Sequence, residues 1–230
     1  MERRLINRRN LLKLMGIGSL TLAIAPEAIG AEVDISISPD GPEAALSRLM
    51  AGNERFVKQK TLHPHQSLER VRRIAPAQKP FATILSCADS RVVSEIIFDQ
   101  GLGDLFDIRI AGNVVTPEVV GSVEYASANL STPLVLVLGH KRCGVITAAV
   151  EGGNSIGEIS KLVADVQPAI EVAKLQPGNL IDNAIAANVQ YQKEKLRLAS
   201  KTLQELIYAN KLKLVGGIYD LDTGAVSLLS

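Results

Sequence analysis

The sequence contains a continuous apolar run that ends in a histidine, Pro133-Leu134-Val135-Leu136-Val137-Leu138-Gly139-His140. Continuous apolar character of this length predicts a strand buried on both faces, as in a parallel sheet covered by helices. A second apolar run, Phe81–Ser86, has the same character and ends at Cys87. We therefore expect two buried strands, each delivering a potential metal ligand at its carboxyl end.

The rest of the chain alternates helical and strand patterns around these two runs. Helices are predicted over 42–60, 118–130, 156–174 and 179–210, and further strands over 105–110, 212–219 and 225–229. Residues 61–80, rich in Pro, His, Gln and Arg, are predicted to form an irregular connection with one helical turn, and residues 222–224 suit a hairpin turn. Strands alternating with helices over one core predict an α/β fold, a mostly parallel sheet flanked by helices.

Composition limits the class of protein. The 230 residues are 47% hydrophobic, enough to bury the core of one domain, and the formal net charge is +1. No stripe of basic residues with interleaved aromatic residues is present, so we expect no nucleic-acid partner.

Residues 1–30 have the parts of a secretory signal: a basic head, the uncharged run Leu14–Ala25, and small residues after it. The run is shorter than the roughly 20 residues of a membrane helix, so no stable membrane span is expected in the mature protein. Residues 7–13, Asn-Arg-Arg-Asn-Leu-Leu-Lys, resemble the twin-arginine export motif. We therefore expect a signal peptide over 1–30, a linker over 31–42 and a folded domain over 43–230, exported to the periplasm or beyond.

Three residues form a candidate metal site. Cys87 follows the first buried strand, His140 ends the second, and Cys143 comes three residues later. In open α/β sheets, ligands gather beyond the carboxyl ends of the strands. Two thiolates and one imidazole are a zinc ligand set that leaves a fourth position for water, substrate or a movable carboxylate. A disulfide bridge between Cys87 and Cys143 is the alternative, because exported proteins can form one.

Asp89 is the carboxylate closest in sequence to these ligands and a possible fourth ligand. One interpretation pairs it with Arg91 beside the metal, through charge-assisted hydrogen bonds. The other makes Asp89 the start of a helix, where its side chain would accept from free backbone N–H groups. His63 and His65 flank Pro64 in a polar stretch and are expected to be solvated loop residues.

Two strings carry a family resemblance: Ser86-Cys87-Ala88-Asp89-Ser90-Arg91-Val92 and Gly139-His140-Lys141-Arg142-Cys143-Gly144. They resemble the signatures of β-class carbonic anhydrases, in the order and at the spacing of that family. The resemblance implies the fold of that class, zinc held by Cys87, His140 and Cys143, and a dyad of Asp89 and Arg91. The implied reaction is the reversible hydration of carbon dioxide to bicarbonate and a proton by zinc-bound hydroxide.

The resemblance also implies substrate-binding roles at Gln78, Val92, Phe106, Tyr125 and Gly144. It further implies a homodimer or a higher even homo-oligomer, with the active site near the subunit interface.

The chain departs from the family at three positions, Ala88, Val93 and Ile110. The family usually has Ser at the first, often Pro at the second and often Asn at the third. Two alternative functions stay open. One is hydrolysis of a carbon dioxide analogue, such as carbon disulfide or carbonyl sulfide, on the same site. The other is zinc binding without turnover.

Overall fold

The computed structural model describes residues 41–152 and 156–230; the predicted signal peptide and nearly all of the predicted linker lie outside this part. Five strands form one sheet in the order β2-β1-β3-β4-β5. The strands are β1 (Ala82–Ser86), β2 (Leu105–Arg109), β3 (Leu134–His140), β4 (Lys213–Tyr219) and β5 (Val226–Leu229). The first four are parallel, and β5 returns antiparallel to β4. The predicted α/β fold with a mostly parallel sheet is confirmed.

Eight α-helices occur in the described ranges: α1 (Pro42–Val57), α2 (Leu68–Ile74), α3 (Ser94–Ile97), α4 (Pro117–Glu124), α5 (Gly144–Glu151), α6 (Ile159–Ala173), α7 (Leu180–Ala199) and α8 (Lys201–Tyr208). A short 3-10 turn covers Ala111–Asn113, and a π turn covers Tyr125–Asn129. None of these helices combines the length and the hydrophobicity that a membrane span needs.

Two helical predictions need correction, and one further helix was not predicted. The single helix predicted over 179–210 is two helices, because Ser200 is extended (φ −133°, ψ 116°) and its hydroxyl accepts from the Leu203 N–H at the start of α8. The connection 61–80 contains the seven-residue α2, longer than one turn, whose N-cap is Ser67. The helix α5 was not predicted at all, since its short sequence follows the ligand motif directly.

The core lies on both faces of the sheet, and β3 shows why its sequence is apolar throughout. Leu134, Leu136 and Leu138 pack into the cluster that includes α1, whereas Val135 and Val137 pack into the cluster beneath α4, α7 and α8. Every residue of β3 is buried. Burying one such side chain contributes about 1.5–3 kcal/mol, so β3 fixes the layers on both sides.

The strand β2 is an edge of the sheet and carries a half-buried acid. Asp107 lies at its centre, and the Oδ1 atom has no hydrogen-bond partner within the described part of the chain. Burial, with repulsion from Glu95, raises the pKa of Asp107 to about 7, although Ser94 and Arg109 oppose the shift. The carboxyl group therefore keeps a proton in the folded protein at pH values where the unfolded chain has lost it.

This shift predicts a dependence of stability on pH. At Asp107 the folded protein binds more protons than the unfolded chain between about pH 4 and about pH 7, so the contribution of this carboxyl group to stability falls across that window and levels off above it. Asp107→Asn cannot ionise, and should be more stable than the parent at about pH 8 by on the order of 2–4 kcal/mol. Urea unfolding across this pH range measures the difference.

Glu171→Gln on α6 is the matched control, because a hydrogen bond from Lys174 lowers the pKa of that exposed carboxyl. Its stability should follow the same pH dependence as that of the parent. A stability difference between Asp107→Asn and the parent that is the same at about pH 5 and about pH 8 would contradict the assignment to Asp107.

Candidate metal centre and active site

The register of the sheet brings the candidate ligands to one edge. Ser86 pairs with Leu138, so Cys87, which directly follows β1, and His140, the last residue of β3, emerge at the same carboxyl edge. Cys143 follows three residues later, where the chain enters α5. The ligand atoms of the three side chains all lie within 4.8 Å of one another, and each residue is buried.

His140 is oriented as a metal ligand should be. Its Nδ1 atom lies 2.9 Å from the Lys141 carbonyl oxygen, so Nδ1–H donates there and Nε2 keeps its lone pair. The Nε2 atom is buried and has no hydrogen-bond partner among the described residues. A buried polar atom without a partner is costly, and a metal bound by Nε2 would remove that cost.

The two cysteines are free thiols, so the alternative of a disulfide bridge between them is wrong for this structure. A hydrogen bond from the Cys143 thiol, helped by one from the Gly112 N–H, lowers the pKa of Cys87 despite burial. The same hydrogen bond and burial raise the pKa of Cys143. A divalent metal bound here would compensate the charge of both sulfurs as thiolates. The donor set fits zinc.

Asp89 and Arg91 lie at the rim of this centre. Arg91 donates from Nε to Asp89 Oδ1 at 2.9 Å and from Nη2 to Oδ2 at 2.7 Å, and its backbone N–H also reaches Oδ1. Asp89 Oδ2 lies 3.9 Å from His140 Nε2. The Arg91 hydrogen bonds lower the pKa of Asp89, so it stays a carboxylate. Asp89 does not cap α3, whose N-cap is Val93.

Two charged side chains between the ligands tie their loop to the β4–β5 turn. Lys141 Nζ lies 2.7 Å from Asp220 Oδ2, and Arg142 donates to both oxygens of Asp222 at 2.8 Å. Arg142 takes a left-handed conformation (φ 54°). The sequence did not indicate these pairs, because their partners are about 80 positions apart.

Arg109 makes a further contact near the site that the sequence did not indicate. From the end of β2 it donates to the carbonyl oxygens of Cys87 (3.4 Å) and Asp89 (2.7 Å). The guanidinium thus holds the backbone that carries one candidate ligand and the candidate dyad. An arginine in a strand gives no sequence signal for such a contact.

The five residues assigned to substrate by resemblance do not gather at one place within the chain. Gly144 begins α5 directly after Cys143, and Val92 is fully buried in the α1-side cluster. Phe106 and Tyr125 contact each other, with ring centroids 6.3 Å apart, and Phe106 pairs with Thr83, well before the end of β1.

Gln78 is exposed and precedes the amino end of β1, whereas Cys87 follows the carboxyl end. Five residues of strand, about 16 Å, separate these two ends. Gln78 therefore lies away from the ligands of its own chain.

One histidine differs from its prediction. His65 is not solvated: its Nδ1 lies 2.8 Å from the buried carboxylate of Asp104, which also faces Arg48 and Arg70. This cluster fastens the connection before α2 onto the start of β2. His63 is exposed, as expected, and contacts Thr61.

Comparison with known proteins gives the family. Residues 82–226 match the family described as carbonic anhydrase. Carbonic anhydrase 2 of Mycobacterium tuberculosis is 40% identical over 191 residues, which cover 81% of this chain and 92% of that protein. The chain belongs to the carbonic anhydrase family. The carbonic anhydrase of Mycolicibacterium smegmatis is 39% identical over 193 residues, 82% of this chain and 94% of that one.

Solved structures agree on the fold of the β class. The tetrameric β-carbonic anhydrases of Sordaria macrospora include a chain with a TM-score of 0.65 and 22% identity, covering 80% of this chain and 96% of that one. A Coccomyxa β-carbonic anhydrase in complex with acetazolamide gives a TM-score of 0.60 at 25% identity, over 80% of this chain and 86% of that one. This carbonic anhydrase therefore has the β-class fold.

Replacing a candidate ligand should remove the metal. His140→Ala leaves two thiols and no imidazole, and a three-residue site has no spare ligand, so stoichiometric zinc should be lost. The matched control is His63→Ala, which removes an exposed histidine and should keep zinc. Metal analysis after dialysis measures both, and full zinc in His140→Ala would contradict the assignment.

Proposed function

We propose that this carbonic anhydrase catalyses the zinc-dependent, reversible hydration of carbon dioxide to bicarbonate and a proton. The observation that carries the proposal is the convergence of Cys87, His140 and Cys143 within 4.8 Å, with the Asp89 carboxylate at the rim. When bound by these three residues, zinc would lower the pKa of water so that hydroxide is available near neutral pH. Two thiolates leave more negative charge at the centre than neutral ligands would, so we expect activity to rise with pH.

Asp89 would orient the attacking water. Arg91 holds the pKa of Asp89 low, so the side chain stays ionised and can accept a hydrogen bond from that water. The two parallel bonds from Arg91 fix the direction of the carboxylate and keep it from turning inward as a fourth ligand. Arg91 thus acts as a latch on Asp89.

Removing the Arg91 side chain should let Asp89 occupy the fourth ligand position while zinc stays bound. In Arg91→Ala the Asp89 carboxylate loses its partner and can turn toward the cation. Hydration activity should fall by roughly ten- to a hundredfold, as is typical when an outer partner of a metal site is removed, while zinc content stays full. Arg91→Lys should rescue poorly, because an ammonium group cannot make two parallel bonds to one carboxylate.

Stopped-flow carbon dioxide hydration with metal analysis tests this latch. Arg197→Ala is the matched control, because Arg197 also makes two bonds to a neighbouring carboxylate, that of Glu194, but lies on α7. Parent-level activity in Arg91→Ala would show that the pair only shapes the loop. A parent that cleaves carbonyl sulfide or carbon disulfide but does not hydrate carbon dioxide would replace the proposed substrate.

We also propose that each active site is completed by a second subunit. Gln78 lies before the amino end of β1, Phe106 lies in the edge strand β2 and Tyr125 contacts Phe106, whereas Cys87 follows the carboxyl end of β1. An open strand edge and a half-exposed tyrosine are features that self-association would cover. A homodimer, or a higher even oligomer, could carry these side chains to the site of its partner.

Mixing two inactive variants tests the shared site. Cys87→Ala lacks a metal centre, and Gln78→Ala lacks the substrate contact. If Gln78 serves the partner, mixed oligomers contain one complete site and co-expression should restore activity that neither variant has alone. Co-expressed Cys87→Ala with His140→Ala is the control without complementation. No restoration, in mixed oligomers verified by differential tags, would place Gln78 in its own site or outside catalysis.

Export by the twin-arginine route is proposed from residues 7–13 alone, which lie outside the described structure. Changing Arg8 and Arg9 together to Lys preserves charge but removes the motif, so the folded enzyme should stay in the cytoplasm. Changing Arg3 and Arg4 to Lys is the matched control and should leave export intact. Cell fractionation measures both, and unchanged export of the first variant would contradict the route.

A further inference from the structure

We propose that Asn188 and Gln192, two amide side chains on α7, are positioning residues that hold the Gly112 N–H on the sulfur of Cys87. The inference rests on the proposed zinc-dependent function, because Cys87 is one of the proposed ligands. Neither amide touches the candidate ligands, so their role would be exerted through the backbone of Gly112.

The bond they would support is a backbone hydrogen bond to sulfur. Gly112 N lies 3.4 Å from Cys87 Sγ, within the range of N–H donors to sulfur. Gly112 takes a left-handed conformation (φ 72°, ψ 12°), and a Cβ there would lie 3.0 Å from Cγ1 of Val145. A side chain at this position would crowd Val145 and disfavour the left-handed conformation, so glycine suits a turn that directs its N–H at the thiolate.

The two amide side chains form hydrogen bonds to this turn and to each other. Asn188 Nδ2 donates to the Gly112 carbonyl oxygen at 3.0 Å, and Gln192 Oε1 accepts from the Val115 N–H at 2.8 Å. Gln192 Nε2 donates in turn to Asn188 Oδ1 at 3.1 Å and to the Asp165 carbonyl oxygen on α6 at 3.2 Å. The pair therefore links α6 and α7 to both ends of residues 112–115.

Burial and spacing argue that these amides serve the turn. Asn188 is 1% exposed and Gln192 is 0% exposed, and they lie four residues apart on one face of α7. Apolar side chains would fill the same space, as Val189 and Leu196 do on the same helix, without meeting the turn's backbone groups. Connected buried polar groups define one geometry more sharply than apolar packing does.

The consequence concerns the metal centre. A hydrogen bond to a ligating thiolate draws charge from the sulfur and fixes its direction, so it tunes both metal retention and the sulfur-to-metal bond. Without the hydrogen bonds from Asn188 and Gln192, the turn can relax and the Gly112 N–H can move away from the sulfur. The fold can remain while the metal centre changes.

The experiment compares Asn188→Leu and Gln192→Met with the parent, all in the full folded protein. Release of zinc to excess chelator should accelerate by about tenfold or more. In the cobalt-substituted protein, the sulfur-to-cobalt charge-transfer band should shift, because it reports the charge on the thiolate. Ser200→Ala is the control: it removes a buried hydroxyl between α7 and α8, lowers stability, and should leave both readouts at parent values.

Three results would overturn the inference: parent-like zinc release and cobalt spectra in both folded variants, changes of the same size in Ser200→Ala, or a change in zinc release without any shift of the band. If Asn188→Leu does not fold, Asn188→Ser leaves room for water in place of the amide and is measured in the same way. A parent that binds no zinc would instead overturn the proposed function.

Discussion

The parallel pairing of β1 with β3 determines both the packing of the core and the position of the candidate ligands. Thr83 to Ser86 lie opposite Val135 to Leu138, so the two strands end at the same edge of the sheet. A shift of one residue in this register would turn the apolar side chains of β3 to the wrong layers and separate Cys87 from His140. Packing in both layers therefore also fixes the geometry of the metal centre.

The polar groups at that edge form a buried inner layer and a charged outer layer at the rim. The two sulfurs and the His140 ring are buried, and backbone groups are directed at them: the Lys141 carbonyl holds the ring, and the Gly112 N–H reaches a sulfur. Outside this layer, the charged pair of Asp89 and Arg91 stays at the rim, where contact with solvent keeps the desolvation cost of the two charges low. Exposed pairs such as Arg142 with Asp222 add little stability individually, but they connect the ligand loop to the end of β4.

Much of this arrangement could be predicted from the sequence because it is local. Apolar runs identified β1 and β3, and a ligand at the end of each indicated the metal site. The contacts that orient the ligands are not local. Asn188 meets Gly112 across 76 positions, and an amide within a helical pattern looks like any surface residue. The break at Ser200 was missed for a related reason, since its hydroxyl cap is recognisable only once two helices are known to meet there.

Zinc-edge X-ray absorption of the purified protein at alkaline pH distinguishes the proposed metal centre from its alternatives. We expect stoichiometric zinc with two sulfur ligands at about 2.3 Å, one imidazole nitrogen at about 2.0–2.1 Å, and one further light atom in the fourth position. A shell of four sulfurs, a centre without imidazole scattering, or protein that holds no zinc would contradict it.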